Sequence, residues 1–437
     1  MESDVFALVG VAALIIVAPL VLLNWKLAWA AYIFTLCCNG LVFQIGPIAI
    51  RPEHFGLLLL VVIAVKTHSQ SSRNGGAAPL AFWLLIGVWV SLGCIANAFV
   101  APEPAASFYI LSWIISSLAA FALVSRSAHK AQMINIGTYV IGAVSVASVA
   151  SWILSEATRQ ALPLTILDNG DGLARIVGFA FEPNIMGALL VTWIALALYW
   201  KHDLTRASLI LVPIISVASI LTMTRAAWAS LVLILLINLA YAQRNRLGKV
   251  LLLLIAAAVV AFSLVSSTDG AGAVVGKINS FFDFGSGTGA FRSLSWRIAI
   301  EDIQMLESWF SGLGTNSFVQ RHADLVDSAR IDYLSNAWIA QLYDTGVLGL
   351  VALIAAFIVL WLTSTRRPAA FPLFASIALT SALTNNLWFA FPWAFMALID
   401  QTPQYASQPT IENPARLSAS HAALTGERFA SIGASKR

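Results

Sequence analysis

The sequence predicts an all-α, polytopic membrane protein of about 12 or 13 transmembrane helices with a large, partly helical loop outside the membrane. Three observations predict it. Hydrophobic residues make up 59% of the 437 residues and charged residues 11%, against roughly 45–50% and about 25% in soluble domains. The mean hydropathy is +0.82. Apolar runs close to the ~20 residues needed to cross a hydrocarbon core recur along most of the chain. So few charges cannot cover a soluble protein of this size, so most of the exterior faces lipid. That excludes a cytosolic enzyme, a secreted domain and a nucleic-acid-binding module. The net charge of +4 follows membrane sidedness and is no nucleic-acid signal.

The candidate spans run over about 5–23, 27–48, 54–66, 79–98, 107–125, 134–155, 184–200, 207–222, 226–242, 250–267 and 336–362. The stretch 370–399 holds two short spans that reverse near Asn385-Asn386. Lys66 and Arg73, then Arg126 and Lys130, Lys201 and Arg206, Arg244, Arg246 and Lys249, and Arg366 and Arg367 fall in alternate loops. The positive-inside rule places these loops in the cytoplasm. The intervening loops, which bear Glu103, Glu156, Asp168, Asp171 and Glu182, then lie outside, as does the N-terminus by parity. The opening Met1-Glu2-Ser3-Asp4 has no basic stretch and does not read as a cleaved signal peptide.

Residues 1–400 read as one integral membrane domain with two sizeable outer loops, 156–183 and 268–335. In the second, Trp296, Ile300, Ile303, Leu306 and Phe310 recur at helical spacing and predict an amphipathic helix over 295–310, lying against the membrane or over a cavity. The stretch 401–437, rich in Ala, Ser, Thr and Pro, reads as a disordered tail. Cys37, Cys38 and Cys94 lie in apolar runs, so neither a disulfide framework nor a zinc site is expected.

The outer side carries Arg51, Arg159, Arg175, Arg225, Lys277, Arg292, Arg297, Arg321 and Arg330, eight arginines among nine basic residues. Positive-inside bias depletes that side of cations, so an arginine-dominated set there points to a fixed anion. Guanidinium forks bind phosphate oxygens in pairs and stay charged. Arg225 starts a span, where a cation opposes the helix dipole unless an anion is near; the bland reading is an arginine snorkelling to lipid headgroups. Arg175 precedes Glu182-Pro183-Asn184, which also reads as an ordinary helix start. Arg292 and Arg297 flank the start of the amphipathic helix, where solvated arginines are ordinary. His322, in Gln-Arg-His-Ala-Asp, titrates near neutrality and is a candidate general base, as are Asp324, Asp327 and Asp332. No Ser-His-Asp pattern, phosphate loop, metal-ligand spacing or Asp-x-Asp motif is present, so neither metal nor cofactor is expected.

Four segments in order resemble the O-antigen ligase and O-antigen polymerase family of bacterial envelope proteins. They are Arg175 to Asn184, Thr224-Arg225-Ala226-Ala227-Trp228, Ser295-Trp296-Arg297 with Gly312-Leu313-Gly314 and Phe318, and Ser335-Asn336-Ala337-Trp338 with Gly346-Val347-Leu348-Gly349-Leu350. The resemblance covers about residues 50 to 390. It implies a metal-independent, GT-C-like helical glycosyltransferase of the bacterial inner membrane, with its site at the periplasmic face. The implied donor is a glycan on undecaprenyl diphosphate. The acceptor is another lipid-linked glycan in a polymerase, or the lipid A core in a ligase, and other proteins of an envelope glycan assembly system are possible partners.

Under this resemblance Arg225 is the family's membrane-face arginine, and Arg175 and Arg297 are its loop arginines. Arg292, Arg321, Glu182, Asn184, Ser335 and Asn336 complete the expected substrate contacts, with Arg225 and His322 as the catalytic pair. Ligases of the family carry His where this chain has Ser335, and a serine hydroxyl does not replace it as a base. A polymerase of O-antigen-like or exopolysaccharide glycan is therefore favoured over a ligase. A transporter or flippase of a lipid-linked glycan is the competing class, but no internal repeat is evident and the charges gather at one face. A membrane scaffold would leave the outer arginines unexplained. The glycosyltransferase reading expects Arg175, Arg225 and Arg297 to converge on one cavity.

Overall fold

A computed structural model describes residues 24–45, 48–71, 78–167, 173–241, 287–325 and 333–401. The expected spans 5–23 and 250–267, the start of the second outer loop with Lys277, the segment with Asp327, Arg330 and Asp332, and the tail beyond 401 lie outside the described residues. The first helices are α1 (Trp25–Cys37), α2 (Pro52–Ser71), α3 (Leu80–Phe99), α4 (Pro104–Ser125), α5 (Lys130–Thr158), α6 (Pro183–Tyr199), α7 (Arg206–Leu221) and α8 (Arg225–Tyr241). Then follow α9 (Gly287–Met305), α10 (Ser317–Arg321), α11 (Ala337–Leu362), α12 (Arg367–Leu383), a 3-10 turn (Asn386–Trp388) and α13 (Ala390–Ala397). Four short strands pair as two antiparallel hairpins, β1 (Phe43–Ile45) with β2 (Ile48–Ile50) and β3 (Thr165–Leu167) with β4 (Ala174–Ile176). Helices α3, α4, α5 and α11 are long and apolar enough to cross a membrane, and α6, α7, α8 and α12 are shorter apolar helices. The protein is an all-α polytopic membrane protein.

Two faces follow from contacts between helix ends. Lys130, at the start of α5, donates to the Ile399 carbonyl at 2.7 Å and pairs with Asp400 at 3.9 Å. Arg366 pairs with Asp203 at 3.8 Å and lies over the Tyr199 and Trp200 rings. The Thr365 amide donates to the Asp400 carbonyl at 3.0 Å. Trp29 in α1 donates to the Met133 carbonyl at 2.7 Å. Three of the basic turns expected to share one side, those with Lys130, Lys201 and Arg366, thus meet there. The opposite face gathers the α1–α2 hairpin, the β3–β4 hairpin, the start of α6, the α7–α8 turn, the start of α11 and the end of α12.

Helices α6 and α13 form the centre. Both are apolar all round, the pattern of a helix with no polar face to offer, and α13 is buried along its whole length, α6 at nearly every residue. Trp193 meets Phe395 edge-on at 4.9 Å, and Trp89 stacks on Trp393 at 5.8 Å. The outward stripe Leu348, Val351, Ile354, Ile358 and Leu362 of α11 follows helical spacing and is exposed, as a lipid-facing surface must be.

Two expectations are corrected. The span predicted over 27–48 is helical only to Cys37, because Asn39 and Gly40 turn the chain. The Asn39 side chain accepts from the Phe181 amide at 3.0 Å and the Gly40 amide donates to the Phe179 carbonyl at 3.0 Å, so the rest of the run forms the β1–β2 hairpin and its approach. The amphipathic helix predicted over 295–310 begins earlier and ends earlier, at Gly287 and Met305. Its buried positions Ser295, Ala299, Asp302 and Ile303 pack with Leu313, Phe318, Leu334, Ala340 and Tyr343, whereas Leu306 and Phe310 lie past its end and are exposed.

The segment between α9 and α10 locks onto a break in α11. Gly346 has φ 70° and ψ −177°, which no helix accommodates. In a continuous helix the Val347 amide would donate to the Tyr343 carbonyl. Here Val347 donates to the Trp309 carbonyl at 2.7 Å, and the Tyr343 carbonyl accepts from Leu313 at 2.7 Å. The Gly314 amide donates to the Asp344 carbonyl at 3.1 Å, and Asn316 to the Asp344 carboxylate at 3.0 Å. Backbone groups freed by the break are thereby satisfied, as a low-dielectric setting requires. The approach is close enough to exclude side chains: a Cβ on Gly312 would sit 2.5 Å from the Asp344 carbonyl oxygen, and one on Gly346 2.6 Å from the Phe310 carbonyl carbon.

Candidate functional site at the start of helix α6

Pro183 sets the first turn of α6, and Glu182 precedes it with extended backbone. The Glu182 side chain does not cap its own helix. Its Oε1 instead accepts from the Tyr333 hydroxyl at 2.5 Å, the Thr384 hydroxyl at 3.2 Å and the Asn184 amide at 3.3 Å. Three separate segments, the start of α6, the approach to α11 and the end of α12, therefore meet on one carboxylate. Tyr333 is buried, and burial pushes its hydroxyl pKa well above the ordinary value; the Glu182 charge acts the same way. The Thr384 hydrogen bond and the Arg292 charge oppose this, which places Arg292 in the electrostatic field of the pair.

The α7–α8 turn packs against the same part of α6. A Cβ on Gly187 would sit 2.6 Å from the Thr224 hydroxyl and 3.0 Å from the Thr222 hydroxyl. Met223 takes φ 53° and makes the turn tight, so Arg225 opens α8 directly. Arg175, on β4, donates from Nε to the Thr222 carbonyl at 3.2 Å, over the C-terminal end of α7 where a cation is favoured. Arg175 thus reaches the turn that leads into Arg225, and both arginines are half-buried. The β3–β4 hairpin that carries Arg175 is held by Glu156, which accepts from the Ala174 amide at 2.6 Å and pairs with Arg159 at 3.0 Å.

The remaining expected residues lie as follows. Arg297 is 69% exposed and pairs with Glu301 at 3.9 Å, one turn along α9; Arg292 is the arginine of this helix whose charge reaches Tyr333. His322 Nε2 lies 2.7 Å from Asp302 Oδ2, which also accepts from the Tyr343 hydroxyl at 2.7 Å. That group joins α9, α10 and α11. Arg321 donates to the Val100 carbonyl at 3.1 Å. Asn336 caps α11, its Oδ1 accepting from the Trp338 and Ile339 amides at 2.9 and 3.1 Å, and Ser335 is buried beside it. The sequence reading did not single out Tyr333 or Thr384, and no motif marks them. Among the described residues, no group of three or more His, Cys, Asp or Glu is arranged to hold a metal ion.

Residues 207–354, about a third of the chain, match the family model described as O-antigen ligase. The matched segment runs from α7 through most of α11 and includes Arg225, Arg292, Arg297, Arg321, His322, Ser335 and Asn336. It also includes both halves of the interlock, Gly312 with Gly314 and Gly346. Arg175, Glu182 and Asn184 lie before it in sequence. The family supports an O-antigen ligase or polymerase type of membrane enzyme. No curated protein matches the chain.

Proposed function

We propose that the protein is a glycan polymerase of the bacterial inner membrane. It extends an O-antigen-like or exopolysaccharide chain carried on undecaprenyl diphosphate, and its site faces the periplasm. The observation that carries this reading is the Glu182 carboxylate, bound by Tyr333, Thr384 and Asn184 within reach of the Arg292 charge. An acceptor sugar hydroxyl attacks the anomeric carbon of the donor. The bond from that carbon to the diphosphate oxygen breaks, the hydroxyl proton passes to Glu182, and undecaprenyl diphosphate leaves. Arg175, Arg225 and Arg292 neutralise the charge that grows on the departing diphosphate, which is where preorganised cations contribute most. No metal takes part. Arg297, Arg321, Ser335 and Asn336 line or support the glycan path.

Two specific observations favour second assignments. Asp302 orients His322 at 2.7 Å as an acid orients a base, so His322 is the alternative proton acceptor. The name of the matched family model favours a ligase that joins the glycan to the lipid A core. One reconstitution decides these points. Purified protein in liposomes receives undecaprenyl-diphosphate-linked oligosaccharide, with and without lipid A core, in the presence of EDTA. A ladder of lengthened glycan without core supports the polymerase, transfer only onto core supports the ligase, and loss of turnover in EDTA overturns the metal-independent route. Transport of the lipid-linked glycan across the bilayer without any product would overturn the enzyme reading.

A further inference from the structure

The chemistry above makes no use of Arg51 or Glu53, yet both are buried charges beside the site. Their side chains are 7% and 1% exposed and lie 3.8 Å apart. The guanidinium carbon sits 4.0 Å from the centroid of Trp113 and 4.3 Å from that of Phe389, between two aromatic faces. Arg51 Nε is buried without a hydrogen-bond partner, and the Glu53 carboxylate faces the guanidinium and the Ala390 amide at the limit of hydrogen-bond reach. Taking two charges out of water costs several kcal/mol each, and apolar residues of similar volume often fill such a space at equal or lower cost. Stability alone therefore does not account for the pair.

The neighbours of Arg51 point to the site. Phe389, under the guanidinium, follows Trp388, whose ring meets Tyr333 edge-on at 5.9 Å. The Arg51 amide donates to His54 Nδ1 at 3.1 Å, and the His54 ring lies 5.9 Å from Trp113, so the start of α2 is held against the same rings. The rings under Arg51 thus lead through Phe389 and its neighbour Trp388 to the tyrosine that holds Glu182.

We propose that Arg51, held by Glu53 between Trp113 and Phe389, is a positioning residue that fixes Tyr333 and, through it, the Glu182 carboxylate. The inference rests on the reading of Glu182 as the proton acceptor and adds a residue to that site. Arg51→Met with Glu53→Leu removes both charges together, leaves no lone buried ion, and keeps the fold. With lipid-linked oligosaccharide in liposomes, kcat falls by about 10- to 100-fold, the size of effect that a small misplacement produces, while KM stays the same.

A purely structural pair would act independently of Tyr333. The same double substitution is therefore measured in a Tyr333→Phe background, where it has no further effect on kcat if Arg51 acts through that tyrosine. Additive losses in the two backgrounds, or a wild-type kcat in the double variant, overturn the inference. Where the double variant does not accumulate, Arg51→Lys enters the same cycle, since an ammonium keeps the charge but not the flat stacking between rings. Glu182→Gln is run alongside. If Glu182→Gln is inactive and the Arg51 variants are fully active, only the positioning role fails. If Glu182→Gln is fully active, the base assignment fails and takes this inference with it.

Discussion

Gly346→Ala is the sharpest test of how the outer segment and the membrane domain are joined. The native backbone has φ 70° and ψ −177°, a region that only glycine occupies freely. Forcing an alanine there costs about 1–3 kcal/mol. The new Cβ would also lie 2.6 Å from the Phe310 carbonyl carbon and 2.8 Å from the Trp309 carbonyl oxygen. Both are backbone atoms, so no side chain can swing away. The segment has to retreat, and the bond from the Val347 amide to Trp309 goes with it. A buried amide left without a partner costs about 1–3 kcal/mol more.

The sum, about 2–6 kcal/mol, is a large part of a typical stability of about 5–15 kcal/mol. The assay is thermal unfolding of the purified protein in detergent, with a midpoint drop on the order of 2–7 °C expected. Gly87→Ala is the control: its Cβ would meet nothing within 4 Å, and it lies inside α3. An alanine there is expected to be neutral or to stabilise by up to about 1 kcal/mol. If both alanines give the same midpoint and the same transfer rate, the interlock is not what holds the break together.

Further outcomes concern the site. Arg225→Ala is expected to lower kcat by about 10²- to 10³-fold, the effect of removing one donor from a developing anion, with expression unchanged; Arg225→Lys is also impaired because an ammonium lacks the paired fork. Wild-type ladders from Arg225→Ala would end the diphosphate assignment. Glu182→Gln abolishes turnover, whereas His322→Asn keeps measurable turnover and lowers the thermal midpoint by loosening α9; the reverse pattern moves the base to His322. Asn336→Ala costs about 1 kcal/mol as a lost helix cap, and Asn336→Asp restores it because aspartate caps equally well. A loss of activity in both Asn336 variants at unchanged stability would instead mark a substrate contact.

The spans were legible because lipid as solvent leaves one strong signal, a long apolar run, and α3, α5, α7, α8 and α11 lie within a few residues of where hydropathy puts them. The reversal at Asn385-Asn386 was legible from its two polar residues between apolar runs, and a 3-10 turn starts there. The first described helix was misjudged because hydropathy does not see Asn39 and Gly40 as a turn. The outer helix was misplaced because Trp296, Leu306 and Phe310 share a periodicity with the buried positions Ala299 and Ile303, although Leu306 and Phe310 belong to the segment after the helix. At the site, Arg175 and Arg225 could be singled out for the side of the membrane that the sequence assigns them, and the hydrogen bond to Thr222 places Arg175 on the turn that leads into Arg225. Tyr333, Thr384 and the Arg51–Glu53 pair could not be singled out, because a single tyrosine, threonine or charged residue acquires meaning only when distant segments bring it beside Glu182.

The break at Gly346 has a mechanical consequence. Four backbone-donated hydrogen bonds, from Val347, Leu313, Gly314 and Asn316, join the outer strap to the broken turn. Peeling the strap away would strand these groups beside hydrocarbon at several kcal/mol apiece. Gearing of this kind means that the segment following α9 and the broken turn of α11 shift together or not at all.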